Sequence, residues 1–202
     1  MRLQFKHQKF QMEAAKAVCD VFNGQPYLTP TYLIDKGIDK NGKQIIGQQA
    51  MTETEVNNFT GFNNHEIVSG LNDAAILENI QKLQRKSFIE SSKNIESYEV
   101  TLEEPDSKNK KVKKVMKYNL TVEMETGVGK TYTYIKTMYE LNKRYGWSKF
   151  IIVVPSVAIR EGVYKSFEIT QDHFMDEYSK KVRFFIYNSK QLTDIDNFAS
   201  DA

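Results

Sequence analysis

The sequence predicts an α/β protein with a doubly wound parallel sheet, and three observations carry that expectation. Residues 120–124, 150–154 and 182–187 read as short strands, and 150–154 is a continuous apolar run typical of a parallel strand covered on both faces. Helical periodicity fills 131–145, 157–169 and 171–178 between and after them. Between the first run and the first of these helices stands Met124-Glu125-Thr126-Gly127-Val128-Gly129-Lys130-Thr131, a glycine-rich turn that opens a helix on Gly-Lys-Thr. Strand, turn, helix, strand in that order imply a wound sheet whose ligands sit at the carboxyl ends of the strands.

The turn has a specific chemistry. Glycine at 127 and 129 permits backbone angles that a side chain forbids, so successive amide N–H groups can point at phosphate oxygens. The positive end of the following helix faces the same spot. Lys130 would supply a mobile cation to the outer phosphates, and the Thr131 hydroxyl would ligate magnesium. ATP with Mg is the expected ligand, with Glu125, Thr126, Gly127, Val128, Gly129, Lys130, Thr131 and Tyr132 as its candidate contacts. The general pattern, G-x-x-x-x-G-K-[ST], wants glycine at position 124, where this chain has Met124. The bland alternative is a plain strand-to-helix turn with a solvated lysine.

Bulk composition narrows the field. With 202 residues, 40% hydrophobic and 12% aromatic, the chain can bury a sizeable core. No apolar run reaches the roughly 20 residues of a membrane span, and the first residues carry no apolar signal core. A cytoplasmic location without a membrane partner is expected. The one cysteine, Cys19, lies on the apolar side of a helical pattern and reads as a buried structural thiol. His7, His65 and His173 have no ligand-spaced partners, so no zinc site is expected. A net charge of +2 does not by itself demand nucleic acid.

Ahead of the turn, Phe10, Ala14, Val18 and Val21 recur at helical spacing over 10–22, and Asn23-Gly24-Gln25-Pro26 ends that helix. Gln8 and Gln11 stand near its start. An amide offers a donor and an acceptor together, so either could read an adenine edge, or simply face water. The stretch 27–117 does not share the α/β rhythm and is expected to form an ordered α+β insertion. Within it Asn41-Gly42 signals a hairpin, 57–64 a loop, 73–87 an amphipathic helix, and 98–102 with 112–122 an antiparallel pair. Lys108, Lys110, Lys111, Lys113, Lys114 and Lys117 form a basic run there. Such a run can track a phosphate backbone, and it can equally be a solvated hairpin tip.

With these residues in view, a family resemblance emerges. The segments 124–132, Glu-Leu-Asn-Lys-Arg-Tyr-Gly at 140–146 and Val-Val-Pro-Ser-Val-Ala-Ile-Arg-Glu-Gly-Val at 153–163 resemble the restriction (Res) subunit of type III restriction-modification enzymes, a superfamily 2 helicase family. Phe-Lys-His-Gln-Lys-Phe-Gln-Met-Glu-Ala-Ala at 5–15 looks like its glutamine motif. The resemblance implies an ATP-driven motor of two RecA-like domains that moves along double-stranded DNA and is coupled to an endonuclease through a modification (methylase) subunit. By position, Gln8 or Gln11 would recognise adenine. Pro155, Ser156 and Arg160 match the segment that in related helicases touches the nucleic-acid backbone, and Asn188 and Ser189 fall at the next strand end. Arg160 reads equally well as a solvated first-turn arginine.

The expected organisation is a glutamine-motif helix at 1–26, the insertion at 27–117 and an incomplete RecA-like phosphate-loop core at 118–202. The family's acidic motif, second motor domain and nuclease find no match, and losing an arginine finger alone costs about 10³–10⁵ in rate. The chain therefore reads as the amino-terminal ATP-binding part of such an enzyme, inactive alone. Two other classes stay open. One is a phosphate-loop kinase, against which the missing acidic strand motif and arginine-rich lid argue; the other is a non-enzymatic DNA- or partner-binding module with a vestigial loop.

Overall fold

The computed structural model describes residues 5–6, 8–28, 31–33, 61–103, 112–188 and 198. Its centre is α3 (Lys130–Tyr145), which starts at the glycine-rich turn and is flanked by α1 (Lys9–Val21) on one side and α4 (Val157–Tyr178) on the other. Buried positions on α3 fall on two faces. Leu141 and Tyr145 join Cys19 and Trp147 in one cluster, with Phe22, Ile67 and Phe150 against it. Ile135 and Tyr139 join Phe167 and Phe174 in the other, with Val182 and Phe184 packed on top.

All three helices point the same way. Contacts between α1 and α3 climb from Gln11–Val128 to Arg144–Asp20 and Tyr145–Cys19. Those between α3 and α4 climb from Tyr132–His173 through Lys136–Glu177 to Asn142–Lys180. Helices that each follow a parallel strand have this shared direction.

The strands themselves differ from expectation. Residues 120–124, 150–154 and 182–187 carry no ladder pairing, and the described sheets are two antiparallel pairs outside this core. Burial supplies the physical reason. Val182, Phe184 and Ile186 are partly covered while Arg183, Phe185 and Tyr187 are exposed, the two-residue alternation of a strand lying over one layer of helices. Ile151 is 81% exposed and Val153 89%. A parallel sheet is held together by cover on both faces, and the helices cover one.

Other boundaries also moved. The helix expected in two pieces at 157–169 and 171–178 is one continuous element, and at the expected break the Thr170 hydroxyl donates to the Ser166 carbonyl at 2.7 Å. In the insertion, β1 (Thr31–Leu33) pairs with β2 (Gly61–Asn63), so part of the expected 57–64 loop is strand. The Asn41-Gly42 turn lies outside the described residues. α2 (Asp73–Lys86) forms as expected, capped by Asn72, whose side chain accepts from Ala75 N at 3.0 Å. β3 (Ser97–Glu103) pairs antiparallel with β4 (Val112–Tyr118). β4 stops short of residue 122, since Asn119 turns its backbone N–H and its side chain onto Glu96.

Residues 64–79 are fastened to α1 and to the end of α3 through polar bonds. Asn79 donates to the Val21 and Asn23 carbonyls at the end of α1 (3.0 and 2.9 Å). Trp147 Nε1 donates to the His65 carbonyl at 3.0 Å, and the Asn64 side chain bonds both Ser148 and Lys149. At Gly146 the chain passes so close to Leu28 that an added Cβ would sit 1.9 Å from the Leu28 carbonyl oxygen.

A charge is buried between α3 and α4. The Lys136 side chain is 4% exposed, ion-paired to Glu177 and donating to the Tyr178 hydroxyl at 3.0 Å. Tyr178 in turn donates to Glu140 at 2.7 Å. Burial and then the Glu140 carboxylate push the Tyr178 hydroxyl well above its ordinary range. Removing one member of a buried pair strands the other, so Lys136→Ala should cost about 3 kcal/mol in urea unfolding, the low end of the usual range because Glu177 keeps some contact with water. Lys136→Met with Glu177→Gln should lose less than Lys136→Ala alone. Burial also pushes the Cys19 thiol up to about 12, so it stays protonated at neutral pH. Its stabilising contribution holds below the ordinary thiol pKa and falls as pH climbs from about 9 toward about 12. A thiol reagent at neutral pH should therefore label native protein far more slowly than urea-unfolded protein.

Candidate functional site

The turn before α3 has the backbone that its sequence called for. Gly127 and Gly129 have φ of 82° and 84°, a left-handed region that costs other residues about 1–2 kcal/mol. α3 begins with Gly129 as its N-cap, so no side chain caps it. Thr133 returns both its N–H and its hydroxyl to the Gly129 carbonyl (3.0 and 3.2 Å). Amides at such a helix start need an outside acceptor. Space exists for one, since a Cβ built on Gly127 meets nothing within 4 Å. Glu125, Thr126 and Lys130 are exposed around it.

Of the two glutamines, the fold brings Gln11 to the loop. Its Nε2 donates to the Val128 carbonyl at 2.8 Å, and the residue is 9% exposed. Gln8 is the N-cap residue of α1, exposed and making no capping bond. Gln11 also limits residue 129 directly, for a Cβ there would lie 2.6 Å from its Nε2.

Tyr132 and Thr131 occupy different settings. The Tyr132 side chain is committed to the α3–α4 interface: its hydroxyl is 2.7 Å from His173 Nε2, and its ring stacks on Phe174 at 5.1 Å between centroids and on Phe5 at 6.0 Å. Burial pushes its hydroxyl up to about 12. Thr131 is half-buried beside the buried hydroxyl of Tyr134. Burial raises the Tyr134 pKa, and Thr131 pulls against it.

The residues matched to nucleic-acid contact lie at the amino end of α4, which extends past the start of α3. The Ser156 hydroxyl caps α4, accepting from Ile159 N at 3.3 Å, so it already has a structural duty. The Arg160 guanidinium bonds Glu161 at 2.9 and 3.3 Å. Pro155 and Asn188 are exposed, and Ser189 lies outside the described residues. Arg160 is 13 residues before His173 on α4, about 20 Å along the axis.

Two groupings escaped sequence reasoning. The chain Tyr132–His173–Glu177–Lys136–Tyr178–Glu140 runs from the first turn of α3 to its last third. Its only trace in the sequence is four-residue spacing at 132, 136 and 140 and at 173 and 177. Asp20 is the second. Burial raises its pKa, but hydrogen bonds from Lys16 and Arg144 outweigh that and hold it below the ordinary carboxylate value.

Three helices thus share one direction, and the middle one opens on an uncapped glycine turn. The family described as "Type III restriction enzyme, res subunit" matches residues 81–198, more than half of the chain, and the chain belongs to that family. Membership places its fold in the helicase RecA-like class. Among curated relatives, it is 35% identical over 112 residues to the EcoP15I Res subunit of Escherichia coli and 33% identical over 123 residues to the EcoPI Res subunit of Escherichia phage P1. These alignments cover 54% and 60% of this chain and 11% of each relative. With the StyLTI Res subunit of Salmonella typhimurium it shares 50% identity over 64 residues, 32% of this chain and 6% of that protein. The chain thus spans about a tenth of the length of the first two relatives.

Both glycines are strained positions for any other residue, but one also meets a side chain. Gly127→Ala should cost about 1–2 kcal/mol in thermal unfolding, and Gly129→Ala more. Adding Gln11→Ala should narrow the difference by relieving the contact at residue 129.

Proposed function

We propose that the chain is the nucleotide-binding part of the ATP-dependent DNA translocase of a type III restriction enzyme. The observation that carries the reading is the uncapped start of α3 beneath Gly127 and Gly129, with open space above and Lys130 exposed at its edge. Backbone amides of the loop would hold the phosphates, Lys130 would neutralise the outer ones, and the Thr131 hydroxyl would hold magnesium. The metal, when bound, spreads the charge that builds on the transferred phosphate. Tyr132, assigned to the core, would support Thr131 from behind.

Gln11 is the better placed reader of adenine. One of its N–H groups is used on Val128, which leaves the second N–H and the carbonyl, the donor and acceptor that an adenine edge requires. Base recognition would then be felt directly by the loop that holds the phosphates. The finer fold in this reading is a doubly wound sheet, in which 120–124, 150–154 and 182–187 are the strands preceding or following the three co-directed helices. Domain limits of 1–26, 27–117 and 118–202 follow from it.

In the whole enzyme the partners would be double-stranded DNA and the modification subunit, in the cytoplasm. No helix among the described residues is long and apolar enough to cross a membrane. DNA contact here would come through the backbone N–H groups of Ser156 and the first turn of α4, with Pro155 shaping the approach to it, and Arg160 would exchange Glu161 for a phosphate.

Titration calorimetry with ATP and magnesium tests the reading. Weak binding lost in Lys130→Ala is expected, and equal affinity in both proteins would refute it. Gln11→Ala should erase any preference for ATP over GTP, while Gln8→Ala should leave it intact.

A further inference from the structure

Hydroxyls along α3 mostly have an evident duty. Thr133 and Thr137 return theirs to the carbonyls of Gly129 and Thr133, at 3.2 and 2.8 Å. Tyr132 meets His173, Tyr145 donates to the Cys19 carbonyl at 2.8 Å, and Tyr139 is met by the backbone of Val182. Tyr134 stands apart. Its ring packs against the cluster of Ile135, Tyr139, Phe167 and Phe174, where a phenylalanine would serve as well. Its hydroxyl oxygen is closed off from solvent, a burial that costs free energy unless hydrogen bonds offset it.

The neighbour that acts on this hydroxyl is the side chain of Thr131, three residues back on the same helix face. Their contact falls outside ordinary hydrogen-bond geometry, so the tyrosine oxygen keeps unused capacity. Thr131 lacks the outlet that Thr133 uses. The carbonyl four residues before it belongs to Gly127, inside the turn and ahead of the helix. A hydroxyl has one hydrogen and two lone pairs, and it binds a cation through a lone pair. Its hydrogen must then be taken up by a group on the other side, which phenylalanine at 134 could not do.

We propose that Tyr134 is a positioning residue: its buried hydroxyl accepts the Thr131 hydrogen and so holds the Thr131 lone pairs toward a divalent cation bound with nucleotide at the glycine turn. Tyr134 acts through Thr131 and not on the ligand. Outer partners of metal ligands work in this way, and removing one typically costs about 10–100-fold in metal affinity. The inference rests on the reading of the turn as a nucleotide site and adds a residue that the reading leaves out.

Calorimetry of the full chain with ATP, first in EDTA and then in magnesium, separates the cation's contribution from the nucleotide's. The unsubstituted chain should gain affinity from magnesium, and Thr131→Val should abolish the gain. Tyr134→Phe should cut the gain roughly tenfold while matching the unsubstituted chain in EDTA. Its melting temperature without ligand should be unchanged or raised, because an under-satisfied buried hydroxyl has been removed. A full magnesium gain in Tyr134→Phe overturns the inference while leaving the nucleotide site intact. An equal loss in EDTA or a lowered melting temperature also overturns it, since either marks a purely structural hydroxyl. So does a magnesium gain that is absent from the unsubstituted chain or survives Thr131→Val. No ATP binding by the unsubstituted chain overturns the nucleotide reading and this inference together.

Discussion

A single side-chain hydrogen bond, from Gln11 to the carbonyl of Val128, joins the first helix to a loop 117 residues later. Much of the site depends on it. The loop is held from one side by that amide and from the other by the start of α3, which Thr133 ties back to Gly129. α1 can present Gln11 because Cys19, Tyr145 and Trp147 lock its far end against α3, and Asn79 caps the same end from the insertion. The hydrophobic cluster sets where the helix lies, and the polar bond uses that position. Loss of either would leave the loop with glycine freedom and nothing to direct it.

α3 is equally dependent on its second neighbour. The buried Lys136 is tolerated because Glu177 and the Tyr178 hydroxyl meet it, and the Tyr178 ring lies 5.2 Å from its ammonium. A leucine at that position would pack against either helix in several ways. A paired charge accepts one register, which fixes how far α4 is slid along α3.

Local elements were legible because their causes are local. The helices at 9–21, 73–86 and 130–145 announce themselves by periodicity and by terminators such as Gly146, and the glycines at 127 and 129 by the loop they build. Gln11 and Gln8 could not be separated from sequence, because what distinguishes them is which one lies over residue 128 after α1 docks. The packing of Tyr132 is illegible for a related reason: its neighbours Thr131 and Lys130 belong to the loop, but its own ring points to Phe174, forty-two positions away in sequence. The apolar runs at 150–154 and 182–187 were read as strands from composition, which signals burial and not partners. Their pairing depends on what covers Ile151, Val153 and Tyr187, and no periodicity records that.

The continuous α4 has a mechanical meaning. Its carboxyl half is clamped to α3 by rings and charges, and its amino half runs on about 20 Å from His173 to Arg160, resting on Phe184 through Tyr164 and Phe167. A tilt of about 5° at the clamp would carry the Arg160 end through nearly 2 Å, the rise of little more than one helical residue. The helix thus ties the first turn after the glycine loop to the arginine as one continuous rod, and the 182–184 segment that Tyr164 and Phe167 rest on moves with it.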